Sequence, residues 1–188
     1  AEARRTLGRT WYERGGGWLA PTKDQGHWGP VLGCAISADG RLLASASADQ
    51  TAIVWDAVDG RAMRVLLGHQ AAVNACAFSP DAQQLATASA DHTLMVWNLA
   101  DGSHRLLAGH DAAVKALAWS DDGEMLISAS ADGTLRRWDM AGRTASQVYT
   151  GHTDWVVGCA VASAAGLAAS ASIDGTVRVW DITRAANT

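Results

Sequence analysis

Residues 68–98 read GHQAAVNACAFSPDAQQLATASADHTLMVWN, and the pattern of this stretch recurs along the chain. Gly-His stands at Gly26-His27, Gly68-His69, Gly109-His110 and Gly151-His152, at intervals of 42, 41 and 42 residues. An Asp follows each His by 22 residues, at Asp49, Asp91, Asp132 and Asp174. A Trp follows each Asp by six, at Trp55, Trp97, Trp138 and Trp180, and the next residue is Asp56, Asn98, Asp139 or Asp181. The single change of period falls between the Trp and the next Gly-His, so the marker residues stay in register within every unit. Self-similarity at this period marks a repeat architecture, in which each unit is one supersecondary element that buries its apolar faces against its neighbours.

Inside a unit the residues alternate between short runs and turns. Residues 31–37 (VLGCAIS) lead to a turn at Ala38-Asp39-Gly40, and 42–47 (LLASAS) lead to a tight turn at Ala48-Asp49-Gln50. Residues 51–55 (TAIVW) follow, and after a loop ending at Gly60, residues 62–67 make a fourth run. Runs of this length bounded by Asp, Gly and Ser are strands rather than helices. Many are apolar on both faces, which fits sheets covered on each side by neighbouring sheets. The composition agrees, with 38 Ala and nine Trp against two Tyr and one Phe, so the core is one of small side chains punctuated by indoles.

The net charge of −4 argues against a general nucleic-acid binder, because phosphate contacts need a basic surface. No run of about 18 apolar residues exists, which excludes a membrane-spanning helix, and 48% hydrophobic residues argue against disorder. Cys34, Cys76 and Cys159 are odd in number and far apart, which fits a reducing, cytoplasmic compartment rather than a disulfide framework. Each falls seven residues after a repeat His, where the third copy has Leu117, and this reads as a small buried strand position. No close Cys/His pairs with zinc-ligand spacing occur, and no cofactor or metal is expected. The N-terminal stretch has arginines but no apolar run, so it is not a secretory signal.

The Gly-His pair, the Ser-Ala-Ser-Ala-Asp turn and the Trp-Asp pair, in four copies over residues 26–181, resemble the WD40-repeat family. The resemblance implies an all-β fold of β-propeller blades, each of about four strands around a central channel. It also implies a repeat offset from the blade, with Trp55 on a third strand and residues 61–67 forming the outer strand. The expected division is an N-terminal segment, 1–25, and WD40 repeats over 26–188, at about 26–67, 68–108, 109–150 and 151–188.

His, Ser and Asp in one unit invite a catalytic-triad reading. A hydrolase needs one such constellation with an oxyanion hole, whereas here it is repeated four times, with Thr87 replacing a Ser in the second copy. The resemblance implies a structural role instead: Trp, Ser or Thr, His and Asp form a buried hydrogen-bonded tetrad in each unit. The Trp N–H donates, the hydroxyl relays and the His links to the turn Asp, so every buried polar group finds a partner. Either member of the pairs Ser45/Ser47, Thr87/Ser89, Ser128/Ser130 and Ser170/Ser172 fits the hydroxyl.

Propellers of the family that this chain resembles act as rigid interaction platforms, so function is expected where the copies differ. After the four His come Trp28-Gly29-Pro30, Gln70-Ala71-Ala72, Asp111-Ala112-Ala113 and Thr153-Asp154-Trp155. Trp28, Gln70, His92, Asp111, Asp154 and Trp155 are the expected partner-binding face, with the two Trp as anchors because rim Trp is enriched at binding hot spots. Trp155 also fits a half-buried position at a strand start. His92 is expected to be exposed in the tight turn, and His104 to be solvated in a loop. Arg137 replaces the Val found in the other copies, and is expected to reach an edge or an acid on the next blade. The fourth copy replaces the Asp-Gly turn by 162–166 (ASAAG) and looks degenerate there.

Four copies fall short of the seven or eight blades with which this family commonly closes. Residues 1–25 offer a missing outer strand, with Trp18-Leu19-Ala20 the candidate and Trp11 a worn Trp-Asp remnant. Three forms are expected, in this order: part of a longer propeller, as the absent initiator Met and abrupt end imply; two chains joined head to tail into an eight-bladed ring; and a strained four-blade closure. The functional expectation is a non-catalytic scaffold for a protein or peptide partner, without nucleic acid or membrane. The alternative is the sensory or regulatory propeller of a larger signalling enzyme, an ATPase or protein kinase, whose motifs are absent from these residues. Asp132→Ala and His110→Ala should each destabilise their blade by about 1–3 kcal/mol through stranded buried partners. Unchanged thermal melts of both variants would remove the tetrad from this chain.

Overall fold

The computed structural model describes residues 26–142 and 147–183, so the expected strand and Trp remnant in 1–25 lie outside the described residues. Four antiparallel sheets follow one another along the chain. The first is β1 (Val31–Ile36), β2 (Leu42–Ser47), β3 (Thr51–Asp56) and β4 (Ala62–Leu67). The second is β5 (Val73–Phe78), β6 (Gln84–Ser89), β7 (Thr93–Asn98) and β8 (His104–Ala108). The third is β9 (Val114–Trp119), β10 (Met125–Ser130), β11 (Leu135–Asp139) and β12 (Gln147–Tyr149). The fourth has three strands among the described residues: β13 (Val156–Ala162), β14 (Leu167–Ser172) and β15 (Val177–Asp181). Each is a simple up-and-down meander. The sheets match the propeller blades that the resemblance implies, with Trp55 on a third strand and Ala62–Leu67 as an outer one.

The pleat assigns alternate residues to opposite gaps. Ala44, Ala46, Ala52 and Val54 of the first sheet meet Val73, Phe78, Leu85, Met95 and Trp97 of the second. Ala86, Ala88 and Val96, on the other side of the second sheet, meet Val114, Leu126 and Trp138 of the third. Ile127 and Ala129 then meet Val156, Ala168 and Trp180 of the fourth. In the first two sheets a side of mostly Ala and Val packs on the bulkier side of the next sheet, which carries its Trp, whereas the third sheet presents Ile127, Leu135 and Tyr149 to the fourth. That is why an Ala-rich chain also needs its indoles: the small side chains leave a space that only a large one fills.

Guanidinium groups tie the sheets together at the outer edge. Arg64 donates to the Ala100 carbonyl at 3.3 Å, and Arg105 to the Met140 carbonyl at 3.2 Å. Arg137 does the same to Ile182 at 2.9 Å. Each donor reaches the loop that follows the Trp of the next sheet. Arg137 thus takes a backbone carbonyl rather than an acid on the next blade, and does so from β11 rather than from an outer strand.

Each first strand carries a bulge near its start, which skips Leu32, Asn74, Lys115 and Val157 respectively. A bulged residue leaves the alternation and is re-aimed. Asn74 donates to the Val114 carbonyl of the next sheet at 2.7 Å, and the Lys115 ammonium lies 5.1 Å over the Trp155 ring.

Three expectations are corrected. His104 opens β8 rather than lying in a loop, and its ring packs on Trp97 with centroids 4.7 Å apart. Cys34 is exposed while Cys76 is buried, because no described sheet covers the bulky side of β1 as the first sheet covers β5. Four-blade closure is not adopted: the described sheets form an open array, with β1 at one end and Val177 and Val179 at the other exposed. In the fourth copy a 3-10 turn at Ser163–Ala165, ended by left-handed Gly166 at φ 66°, replaces the Asp-Gly turn. The corresponding left-handed residues are Gly40 and Gly123, but Ala82 at φ 55° in the second copy. A Cβ is disfavoured there, so Ala82→Gly should stabilise the chain by about 0.5–1 kcal/mol after glycine's own entropic cost. A urea midpoint that stays or falls would contradict this strain.

Candidate functional site

The loop entering each first strand is fastened to the turn between the second and third strands. His27 Nδ1 lies 3.0 Å from Asp49 Oδ2, and the corresponding His69–Asp91, His110–Asp132 and His152–Asp174 distances are 2.8, 2.7 and 2.7 Å. The other ring nitrogen lies 2.7–2.8 Å from Ser45, Thr87, Ser128 or Ser170. Each of these hydroxyls accepts the indole N–H of Trp55, Trp97, Trp138 or Trp180 at 2.8–2.9 Å. The structure thus brings the twelve marker residues together in four identical networks, and takes the first hydroxyl of each pair.

Proton counting fixes the direction. The Asp carboxylate only accepts, so the ring donates to it from Nδ1; Nε2 of a neutral ring then accepts from the hydroxyl, which itself accepts the indole N–H. Each imidazole thus turns its Nδ1–H toward its Asp. The second hydroxyls do separate work: Ser47, Ser89 and Ser130 donate to loop carbonyls at Gly29, Ala71 and Ala112, and accept the N–H of the turn Asp. The network hydroxyls of Thr87 and Ser128 are fully buried and already engaged.

A fifth member was missed from the sequence. Thr51, Thr93, Thr134 and Thr176 donate to Asp Oδ1 at 2.6–2.7 Å. Its signal was available, since a Thr stands two residues after the Asp in all four copies. The other carboxylate oxygen also accepts the N–H of the residue after the His: Trp28, Gln70, Asp111 or Thr153. Burial acts to raise the Asp91 carboxyl, but the bonds from Thr93, the Gln70 N–H and His69 outweigh it and hold it at about 2. Burial pushes His69 and His110 below their usual 6.5, against the pull of their Asp partners.

The same fastening gathers the expected rim residues at one edge of the sheets. Trp28, Gln70, Asp111, Asp154 and Trp155 lie on the loops that enter first strands, and His92 on the turn these loops bond to. All six are exposed, Trp28 at 63% and Trp155 at 49%. His92 adopts φ 72°, which turns its side chain away from the sheet's packing. Gln70 is partly spoken for, donating to the Gly68 carbonyl at 2.9 Å.

A family model described as "WD domain, G-beta repeat" matches residues 21–56, 60–98, 103–139 and 143–181. The chain belongs to the WD40-repeat family. Each WD40 match ends at the residue after the network Trp, and from the second onward each begins ahead of the preceding sheet's outer strand, so repeat and sheet are offset. No curated protein matches the chain. WD40 repeats form protein–protein interaction scaffolds that are in general non-catalytic.

Acid should weaken the fold through these networks. The folded-state His69 and His110 values lie below 6.5, so the unfolded chain takes up protons first and stability falls as pH drops under 6.5. Asp91 adds a second loss between its usual 3.8 and about 2. Melting temperatures followed from neutral pH to pH 3 should fall in that order; a flat profile would contradict the assigned tautomer and bonds.

Proposed function

We propose that the four repeats, residues 26–188, act as a non-catalytic scaffold that holds a protein or peptide partner on the rim of loops after the repeat His. The observation that carries this reading is the pair of exposed indoles, Trp28 and Trp155, on a rim whose middle copies offer only Gln70-Ala71-Ala72 and Asp111-Ala112-Ala113. Large flat side chains on a rigid base lose little entropy on binding and bury much area, which is how hot spots form. The backbone beneath them is pinned, because the Trp28 main-chain N–H donates to Asp49 at 2.8 Å and the Trp155 carbonyl accepts the Ile173 N–H at 2.9 Å. Lys115 over Trp155 sets a cation beside the indole, and Asp111 and Asp154 add exposed carboxylates. An apolar side chain flanked by charge, as on a peptide segment or a protein loop, matches that chemistry.

Peptides selected from a displayed random library on the immobilised chain provide the test. Trp155→Ala should weaken the selected peptides at least tenfold, as hot-spot truncation does, while leaving the thermal melt within a few degrees. Peptides that bind equally to the Trp28→Ala/Trp155→Ala double variant would overturn the rim as the binding face.

A further inference from the structure

At the edge opposite the rim, the guanidinium groups of the first two copies differ in their surroundings. Arg64 and Arg105 pair across their sheets with Val54 and Val96, so they hold the same place. For Arg64, carboxylates stand at Asp56 of its own sheet and at Asp101 of the loop it caps. The Asp101 carboxyl is held low by the Ser103 hydroxyl and N–H, and Arg64 adds to that hold. For Arg105 the corresponding residues are Asn98 and Gly142, neither of them charged. The cross-strand partner changes too: Leu42, Met125 and Leu167 pair with Asp56, Asp139 and Asp181, whereas Gln84 pairs with Asn98. The loop does not require the change. Asn98 Oδ1 accepts the Ala100 N–H at 2.9 Å, as Asp56, Asp139 and Asp181 accept from Val58, Ala141 and Thr183 at 2.7–2.9 Å. With its oxygen spent on the loop, the Asn98 amide offers N–H donors where the other copies offer a negative charge.

Gln84, Asn98 and Arg105 line a cleft of about 260 Å³ between the second and third sheets, closed on the far side by Met140. We propose that this cleft binds the carboxylate or phosphate group of an anionic small molecule, held by the Arg105 guanidinium and the Asn98 and Gln84 amides. No carboxylate is among the described residues that line it. Asp139, next to Met140, is turned to its own loop, where it accepts the Ala141 and Gly142 N–H. Arg105 spends one N–H on the Met140 carbonyl at 3.2 Å and one on the Met140 sulfur at 3.0 Å. A thioether is a weak acceptor, so an oxyanion displaces it at a gain, and three of the five guanidinium N–H groups stand free of either contact. The planar fork matches two oxygens of a carboxylate or phosphate at once. The cleft is smaller than the pockets that enclose whole drug-sized ligands, and suits one anionic group on a short stem. This site lies away from the rim and does not rest on the rim reading.

Nitrogen-15 NMR of the full chain tests this, with sodium phosphate and sodium acetate titrated separately against sodium chloride at constant ionic strength. The Arg105 Nε–H and the Asn98 and Gln84 side-chain amides should shift and saturate with at least one of the two anions, while the Arg64 Nε–H does not move. Saturation with phosphate alone assigns phosphate-bearing ligands, and saturation with acetate assigns carboxylate-bearing ones. Asn98→Asp restores the residue of the other three copies and keeps the loop cap. Read at the Arg105 Nε–H, it should weaken the anion about tenfold or more, with the thermal melt unchanged. Arg105→Gln, read at the Asn98 and Gln84 amides, should abolish saturation. Shifts that stay linear with both anions, or that saturate in Asn98→Asp as they do in the wild type, would overturn the site.

Discussion

A single constraint organises each blade: the Asp carboxylate can only accept, so the His ring turns Nδ1–H toward it and Nε2 toward the hydroxyl that takes the Trp N–H. The same carboxylate also takes two bonds from the Thr two residues on and one from the loop backbone. The loop entering the first strand is thereby locked to the turn between the second and third. The rim on which function depends is the outer surface of this lock. Its side chains vary freely because its backbone does not.

Because each described sheet packs only on the sheets beside it, each depends on its immediate neighbours and on no distant one. Such arrays behave as quasi-one-dimensional systems, with stability set by the unit and by the interface between units. The Arg donors at the outer edge belong to the same scheme. Arg64, Arg105 and Arg137 stand at different places in their repeats, yet all three cap the loop that follows the next Trp. What is held constant is the target.

The strands, the marker spacing and the exposed rim were legible in the sequence because each is a local pattern at fixed register. The choice between Ser45 and Ser47 was not. Two residues apart on one strand, they share a face, and only depth separates the one beneath the indole from the one at the loop. The target of Arg137 was hidden for another reason, since a backbone carbonyl looks the same at every position. The exposure of Cys34 and the absence of closure depend on what lies beyond the first and last sheets, which no pattern inside a repeat encodes.

The bulges have a consequence of their own. A residue within a strand inherits its direction from the pleat, and so its permitted chemistry is dictated by the gap it faces. Leu32, Asn74, Lys115 and Val157 are released from that grammar, and the four copies spell the position with two aliphatics, an amide and an ammonium. Mutation can rewrite this letter without disturbing the alternation around it. An otherwise monotonous scaffold thus carries one independently editable character per blade, close to the rim, where an inherited repeat can acquire an individual identity.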